Sequence, residues 1–254
     1  MYPVKACGGV PLTTARVVER GLEHDRRYML VDRAGVFVSQ RERPELSQVS
    51  TRLENNRIVL SAPGAGELAL PLALSDGERV PYRVWSSDGE ALAHADGGHW
   101  FSALLGDEVS LVYMPDDEHR AVNPARARPG DIVSFADGYP MLLISQASLD
   151  DLNGRLPEPV EMRRFRPNLV IDGATPYAED SFTQLYIGEL GFRAVKRCDR
   201  CSVTTVDPAT GQRGKEPLRT LAKYRLEDGK VWFGMNLIHD ACGSLDLGHT
   251  VRLA

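Results

Sequence analysis

Short apolar runs separated by turn-forming residues fill the first half of the chain. From Tyr28, YMLVDRAGVFVSQ sets two β-prone runs on either side of a DRAG turn, and TRLENNRIVLSA repeats the arrangement around Asn55 and Asn56. Both predict hairpins. GELALPL, RVPYRVW and EVSLVYM follow at intervals of roughly ten residues, the spacing of a β-barrel or sandwich. HWFSALLG predicts one short helix among them. The stretch 114–131, MPDDEHRAVNPARARPGD, mixes prolines and both charges without a period, which predicts a long surface connection and a domain boundary.

Beyond it, SQASLDDLNGRL places serines near a helix start and puts Leu149, Leu152 and Leu156 on one helical face. NLVIDG, FTQLYIG, FRAVKRC, VTTVD, VWFGMNLI and HTVRLA read as strands, and Pro217 through Tyr224 as a second helix. The pattern therefore predicts a mainly β protein with a few helices (α+β). It divides into two lobes, residues 1–115 and 116–254.

Composition narrows the function classes. A chain of 254 residues, 43% hydrophobic and 26% charged, can bury a sizeable core as one large domain or two modest ones. No segment is apolar for long enough to span a bilayer, and MYPVKACGGVPL lacks the basic flank and apolar run of a signal peptide. The expectation is a cytoplasmic protein without a membrane partner. A net charge of −5 also argues against nucleic acid, which needs a broad positive field. Local positive clusters then stand out: Lys5, the pair Arg26 and Arg27, and MRRFRPN with Arg163, Arg164 and Arg166.

Four cysteines are too few for a disulfide framework at this length, so a reducing compartment is expected. Two of them, Cys198 and Cys201, form a CxxC. Zinc usually draws two such pairs or added histidines, and here only Cys7 and Cys242 remain to complete a tetrahedron. A redox dithiol would open a helix, whereas the β-prone VTTVDP follows. A structural thiol pair is the plain alternative. Arg197 and Arg200 favour a thiolate, which also suits a metal that changes oxidation state.

The acidic groups Asp150 and Asp151, Asp116 to Glu118, and Glu179 and Asp180 read as solvated, and Ser145 and Ser148 as helix caps. An arginine run such as RRFR most often marks a solvated strand face. On a strand, however, Arg164, Arg166 and Asn168 would share one side with Phe165 turned to the core, forming a fork for phosphate. Adding Lys5 and Arg26 makes a phosphorylated-cofactor site.

YPVK (2–5), HDRRYMLVD (24–32), ADGYPMLLIS (136–145), RFRPNLVI (164–171), RCDRCSVTTVDPATG (197–211), EPLRTLAKYR (216–225) and FGMN (233–236) occur in this order over nearly the whole length. Together they resemble the MOSC proteins with an N-terminal MOSC β-barrel, relatives of the mitochondrial amidoxime-reducing component. The resemblance implies a MOSC barrel that holds the molybdenum cofactor (Mo-molybdopterin) beside a smaller N-terminal β-barrel. The first ~25 residues are then expected to contribute to the cofactor site, although they belong to the N-terminal lobe. The same resemblance makes Cys201 the molybdenum ligand and catalytic centre, with Cys198 a bystander. Cofactor contacts fall on Lys5, Arg26, Asp137, Gly138, Tyr139, Arg166, Asn168, Asp199, Arg200 and Asn236.

The activity implied is reduction of N-hydroxylated substrates by oxygen removal at molybdenum. The alternative is a non-catalytic cofactor or sulfur carrier, because MOSC domains also occur fused to cofactor sulfurases. Pyridoxal phosphate belongs to the other domain of those fusions, and no residue here supports it. Three departures from the pattern matter. Ala6 stands where relatives often carry serine. The chain opens directly at MYPVK, where relatives usually have a preceding strand. It closes at HTVRLA without the iron–sulfur domain of some bacterial relatives, so a separate ferredoxin- or flavin-type donor is expected.

Overall fold

A computed structural model describes residues 1–254. The expected class holds: strands dominate and three α-helices interrupt them. Two sheets build the N-terminal half. One is antiparallel, in the spatial order Tyr28–Val31, Ser110–Tyr113, Ser87–His94 and Arg79–Val84; the other is the meander Ser50–Glu54, Arg57–Ala62 and Gly66–Pro71. Asn55 and Asn56 both adopt positive φ, so TRLENNRIVLSA is the tight hairpin its sequence predicts. The DRAG hairpin is weaker. Its second arm makes only isolated bridges, Val31 to Phe37 and Val36 to Arg83.

The core between these sheets joins Tyr28, Leu30, Leu46, Ile58, Leu60, Phe101 and Leu111, all fully buried. Phe101 comes from the Ala95–Leu105 helix, which His94 caps by accepting from the Gly97 amide at 3.0 Å. Val4, Ala6 and Cys7 of the opening segment belong to the same core. Burial of that segment, tied to Tyr28 by the Lys5 amide at 2.8 Å, fixes where the Lys5 side chain emerges.

The C-terminal half is a nearly closed barrel in the order Leu169–Ile171, Met141–Ser145, Lys230–His239, Leu190–Asp199, Gln184–Ile187 and Val251–Leu253. The short Leu226–Glu227 strand pairs on Lys230–His239 from outside that path. Its first two strands are parallel, which requires a crossover, and the Gln146–Asn153 helix supplies it. Leu149 and Leu152 are buried as expected. A fourth sheet sets Gly243–Asp246 against Thr14–Val18 and Gly21–Leu22, so residues near the two ends of the chain share one ladder.

Several local expectations need correction. Arg164 and Arg166 do not alternate along a strand: Met162–Arg164 is a 3-10 turn, and Arg166 adopts φ 57°. VTTVD is likewise no strand, because Ser202–Thr205 forms a 3-10 turn. Thr204 and Thr205 hydroxyls donate back to the carbonyls of Cys201 (3.0 Å) and Ser202 (2.7 Å), closing that turn. The second helix is shorter than expected, Leu218–Ala222.

The 114–131 stretch is not wholly superficial, since Met114, Arg120 and Val122 are buried. Glu179 is not solvated but fully buried, and Ser148 is not the cap; Ser145 caps the helix, accepting from the Ser148 amide at 3.1 Å. Among the other acids of those groups, Asp116 pairs with Arg27, Asp117 with Arg79, Asp151 with Arg155 and Asp180 with Arg225.

Candidate functional site

Every residue singled out for the cofactor site borders one cavity of about 160 Å³: Lys5, Arg26, Asp137, Gly138, Tyr139, Arg166, Asn168, Asp199, Arg200, Cys201 and Asn236. They come from both halves of the chain. The cavity shares Arg164, Arg166, Asn168 and Gln40 with a much wider groove of about 1170 Å³ that runs along the opening segment.

Three anchors position the basic wall. The buried carboxylate of Asp25 accepts from the Tyr2 amide at 2.7 Å and from Arg26 Nη1 at 2.6 Å. Arg26 then donates to Asn168 Oδ1 (3.0 Å) and to the Arg166 carbonyl (3.2 Å), joining segments far apart in sequence. Both guanidinium groups lie over the Tyr2 ring, at 4.5 Å for Arg26 and 4.3 Å for Arg166. Burial, reinforced by Arg26, pushes the Arg166 pKa down. Two cations crowd one ring here, with Asp25 as their near counter-charge.

Lys5 Nζ also borders the cavity, donating to Asp137 Oδ1 at 2.5 Å and to the Phe135 carbonyl at 2.8 Å. Burial lowers the Lys5 pKa against the opposing pull of Asp137. Desolvation works to raise the Asp137 pKa, but Lys5 holds that carboxyl well below the usual range. The Asp137 side chain is largely exposed, so its neighbours' charges outweigh burial. The buried Arg120 guanidinium fixes the loop that carries it, donating to the carbonyls of Ser134 (2.9 Å), Ala136 (2.5 Å) and Asp137 (3.0 Å). Nothing in its sequence setting separates Arg120 from the other charges of the connecting stretch.

The CxxC runs from the end of the Leu190–Asp199 strand to Cys201, the residue that precedes the Ser202–Thr205 turn. Arg200 donates to Cys198 Sγ at 2.9 Å and to the Phe165 carbonyl at 2.6 Å. Cys201 Sγ instead accepts from Arg41 Nη2 at 3.2 Å. Each thiol thus has its own guanidinium. Asn236, facing Lys196 across the strand pair, donates to the Lys196 carbonyl at 3.1 Å. Cys7 lies close by in sequence to Lys5, but burial pushes its thiol up to about 12, and Cys242 is exposed elsewhere. No third His, Cys, Asp or Glu joins the pair to make a zinc set.

The donor chemistry fits an anionic, metal-bearing cofactor. Arg166 Nη2, Asn168 Nδ2 and Arg200 Nε are buried N–H groups without a partner, and all three residues border the cavity. Unpaired buried donors are costly, of order 1–3 kcal/mol each, and an oxyanion would satisfy them. Cys201 adds a half-buried sulfur at the same place.

The family follows from the comparisons. Residues 1–108 match the MOSC N-terminal beta barrel domain, and residues 130–252 match the MOSC domain. The chain is 34% identical over 272 residues to mitochondrial amidoxime reducing component 2 of Rattus norvegicus, covering 99% of this chain and 80% of that one. The chain belongs to the MOSC family. Mitochondrial amidoxime-reducing component 1 of Homo sapiens is also 34% identical, with 100% of this chain and 81% of that one covered. Molybdenum cofactor sulfurase of Oryza sativa subsp. japonica matches at 34% identity over 94% of this chain and 32% of its own length. No helix of this MOSC protein is long and apolar enough to cross a membrane.

Proposed function

We propose that this protein is a molybdenum-cofactor oxidoreductase that reduces N-hydroxylated compounds. The observation that carries the reading is the meeting of Cys201 with three unpartnered buried donors, from Arg166, Asn168 and Arg200, in one cavity. Relatives named for amidoxime reduction, similar over nearly the whole chain, supply the reaction class.

Cys201 would hold the metal through its thiolate, and Arg41 would keep that sulfur oriented by its 3.2 Å contact. Arg26, Arg166 and Asn168 would take the pterin's phosphate through forked, charge-assisted hydrogen bonds. Lys5, locked by Asp137, would add a fixed positive charge, with Gly138 and Tyr139 shaping the wall around it. Asp199, Arg200 and Asn236 complete the enclosure. When bound, the cofactor supplies a two-electron step in which the substrate N–O bond breaks, two protons are taken up and water leaves. The electrons are proposed to come from a separate ferredoxin- or flavin-type donor.

The division into residues 1–115 and 116–254 and a cytoplasmic setting, in keeping with four free thiols, are part of the same proposal. A carrier role is the second reading, favoured by the match to a cofactor sulfurase. Expression in a cofactor-competent host, with molybdenum and pterin measured on the folded protein, tests the site. Uptake of both with turnover of benzamidoxime by an artificial donor supports the reductase. Uptake without turnover supports the carrier, and uptake of neither defeats both.

A further inference from the structure

Trp85 occupies a place where a bulky side chain is unfavourable. The Arg79–Val84 and Ser87–His94 strands pair up to Val84 and Ser87, leaving Trp85 and Ser86 as a two-residue turn. Trp85 is its first residue and adopts φ 55°. That position in such a turn favours glycine, and an L-side chain there is strained. Burial does not offset the cost, because the residue is 46% exposed.

Three contacts nevertheless hold the indole in one orientation. Its centroid lies 4.9 Å from that of Phe37. The Arg41 guanidinium sits 4.7 Å from the ring centroid. Nε1 donates to Asp137 Oδ1 at 3.3 Å. Two of these three partners, Arg41 and Asp137, border the cavity, and Arg41 also touches Cys201 Sγ. One side chain therefore separates an exposed, immobilised aromatic surface from the sulfur at the centre of the site. A ring already fixed in place loses no rotamer freedom when a flat ligand stacks on it, and stacking adds to what area burial alone contributes.

We propose that Trp85, held by Arg41, Phe37 and Asp137, is a specificity-determining ledge at the mouth of this cavity that selects planar, conjugated N-hydroxylated compounds. This rests on the oxidoreductase reading above. Trp85 receives the conjugated body of the substrate, and Arg41 ties that ledge to the Cys201 end of the cavity.

The test compares benzamidoxime with a straight-chain aliphatic amidoxime on the cofactor-loaded protein. Trp85→Ala lowers the ratio of their kcat/KM values about five- to tenfold, chiefly through KM for benzamidoxime, and Trp85→Phe restores it to within about twofold. A residue that merely shapes the turn would depress both substrates alike, so an unchanged ratio overturns the proposal. A second readout does not depend on turnover. The protein has three tryptophans, and Trp100→Phe with Trp232→Phe leaves Trp85 as the one indole. Benzamidoxime should then quench its emission saturably and the aliphatic amidoxime should not. Should the wild-type protein reduce neither compound, the oxidoreductase reading falls and the quenching alone decides the ledge: saturable quenching upholds it, and its absence overturns it.

Discussion

Arg41 Nη2 lies 3.2 Å from Cys201 Sγ although 160 positions separate the two residues in the chain. The contact distinguishes the two thiols of the CxxC, because Cys198 Sγ is taken by Arg200 instead. Cys201→Ser is expected to remove most bound molybdenum, since a hydroxyl is a poor ligand beside a thiolate. Cys198→Ser keeps an acceptor for Arg200 and should retain molybdenum to within about twofold, a margin set by the modest worth of one hydrogen bond. Metal analysis of both variants after identical expression checks this, and equal loss from the two would show that the pair acts jointly.

The basic wall should bind a simple anion even without cofactor. Arg26 and Arg166 share the Tyr2 ring, and Arg166 and Asn168 each leave a buried N–H unpaired. At ten times its Kd, inorganic phosphate should stabilise the cofactor-free protein by about 1.4 kcal/mol, or roughly 3–6 °C in Tm for a chain of this size. Arg166→Gln removes the fork and should abolish most of that shift. Thermal unfolding with and without phosphate, at constant ionic strength, makes the comparison; equal shifts in both proteins would place the anion elsewhere.

The parts of this site that are legible in the sequence are those whose residues sit in compact motifs. Lys5, Arg26, Arg166, Asn168, Arg200 and Cys201 all border one cavity. The route by which Arg164 and Arg166 reach it is not legible. Proline at 167 disfavours helical conformation at residue 166 and so suggests an extended strand, whereas Arg166 takes the left-handed region with its guanidinium donating to the Cys7 carbonyl. Arg41, Trp85 and Arg120 escape a sequence reading for a different reason. Each acts through a partner more than fifteen positions away, so no local pattern marks it.

Glu179 shows the same limit in the core. Its carboxylate is fully buried and accepts from the Ser145 amide (3.1 Å), the Ser145 hydroxyl (3.0 Å) and the Ser148 hydroxyl (2.8 Å). It also lies against the start of the Gln146–Asn153 helix, where negative charge is favourable. Ser148→Ala deletes a donor to a buried charge and leaves the Tyr177 amide without its acceptor at 2.7 Å. The expected loss is about 2–3 kcal/mol in urea unfolding. A loss below about 0.5 kcal/mol would mean that water replaces the hydroxyl.

His239 makes stability depend on pH. Burial lowers its pKa from 6.5, with Arg193 acting in the same direction and Asp131 against it. The imidazole is buried and its Nδ1 has no partner. The unfolded chain takes up a proton near pH 6.5 while the native state resists, so the unfolded state binds more protons in that window. Stability from this group is therefore fully present above pH 6.5 and is lost as the pH falls towards the lowered native pKa. The slope it adds is at most about 1.4 kcal/mol per pH unit. His24, half-buried and shifted the same way, contributes to the wild-type profile but not to the difference made by changing His239. His239→Gln should flatten the fall in urea-unfolding free energy between neutral and mildly acidic pH, and a profile as steep as that of the wild type would remove His239 as its source.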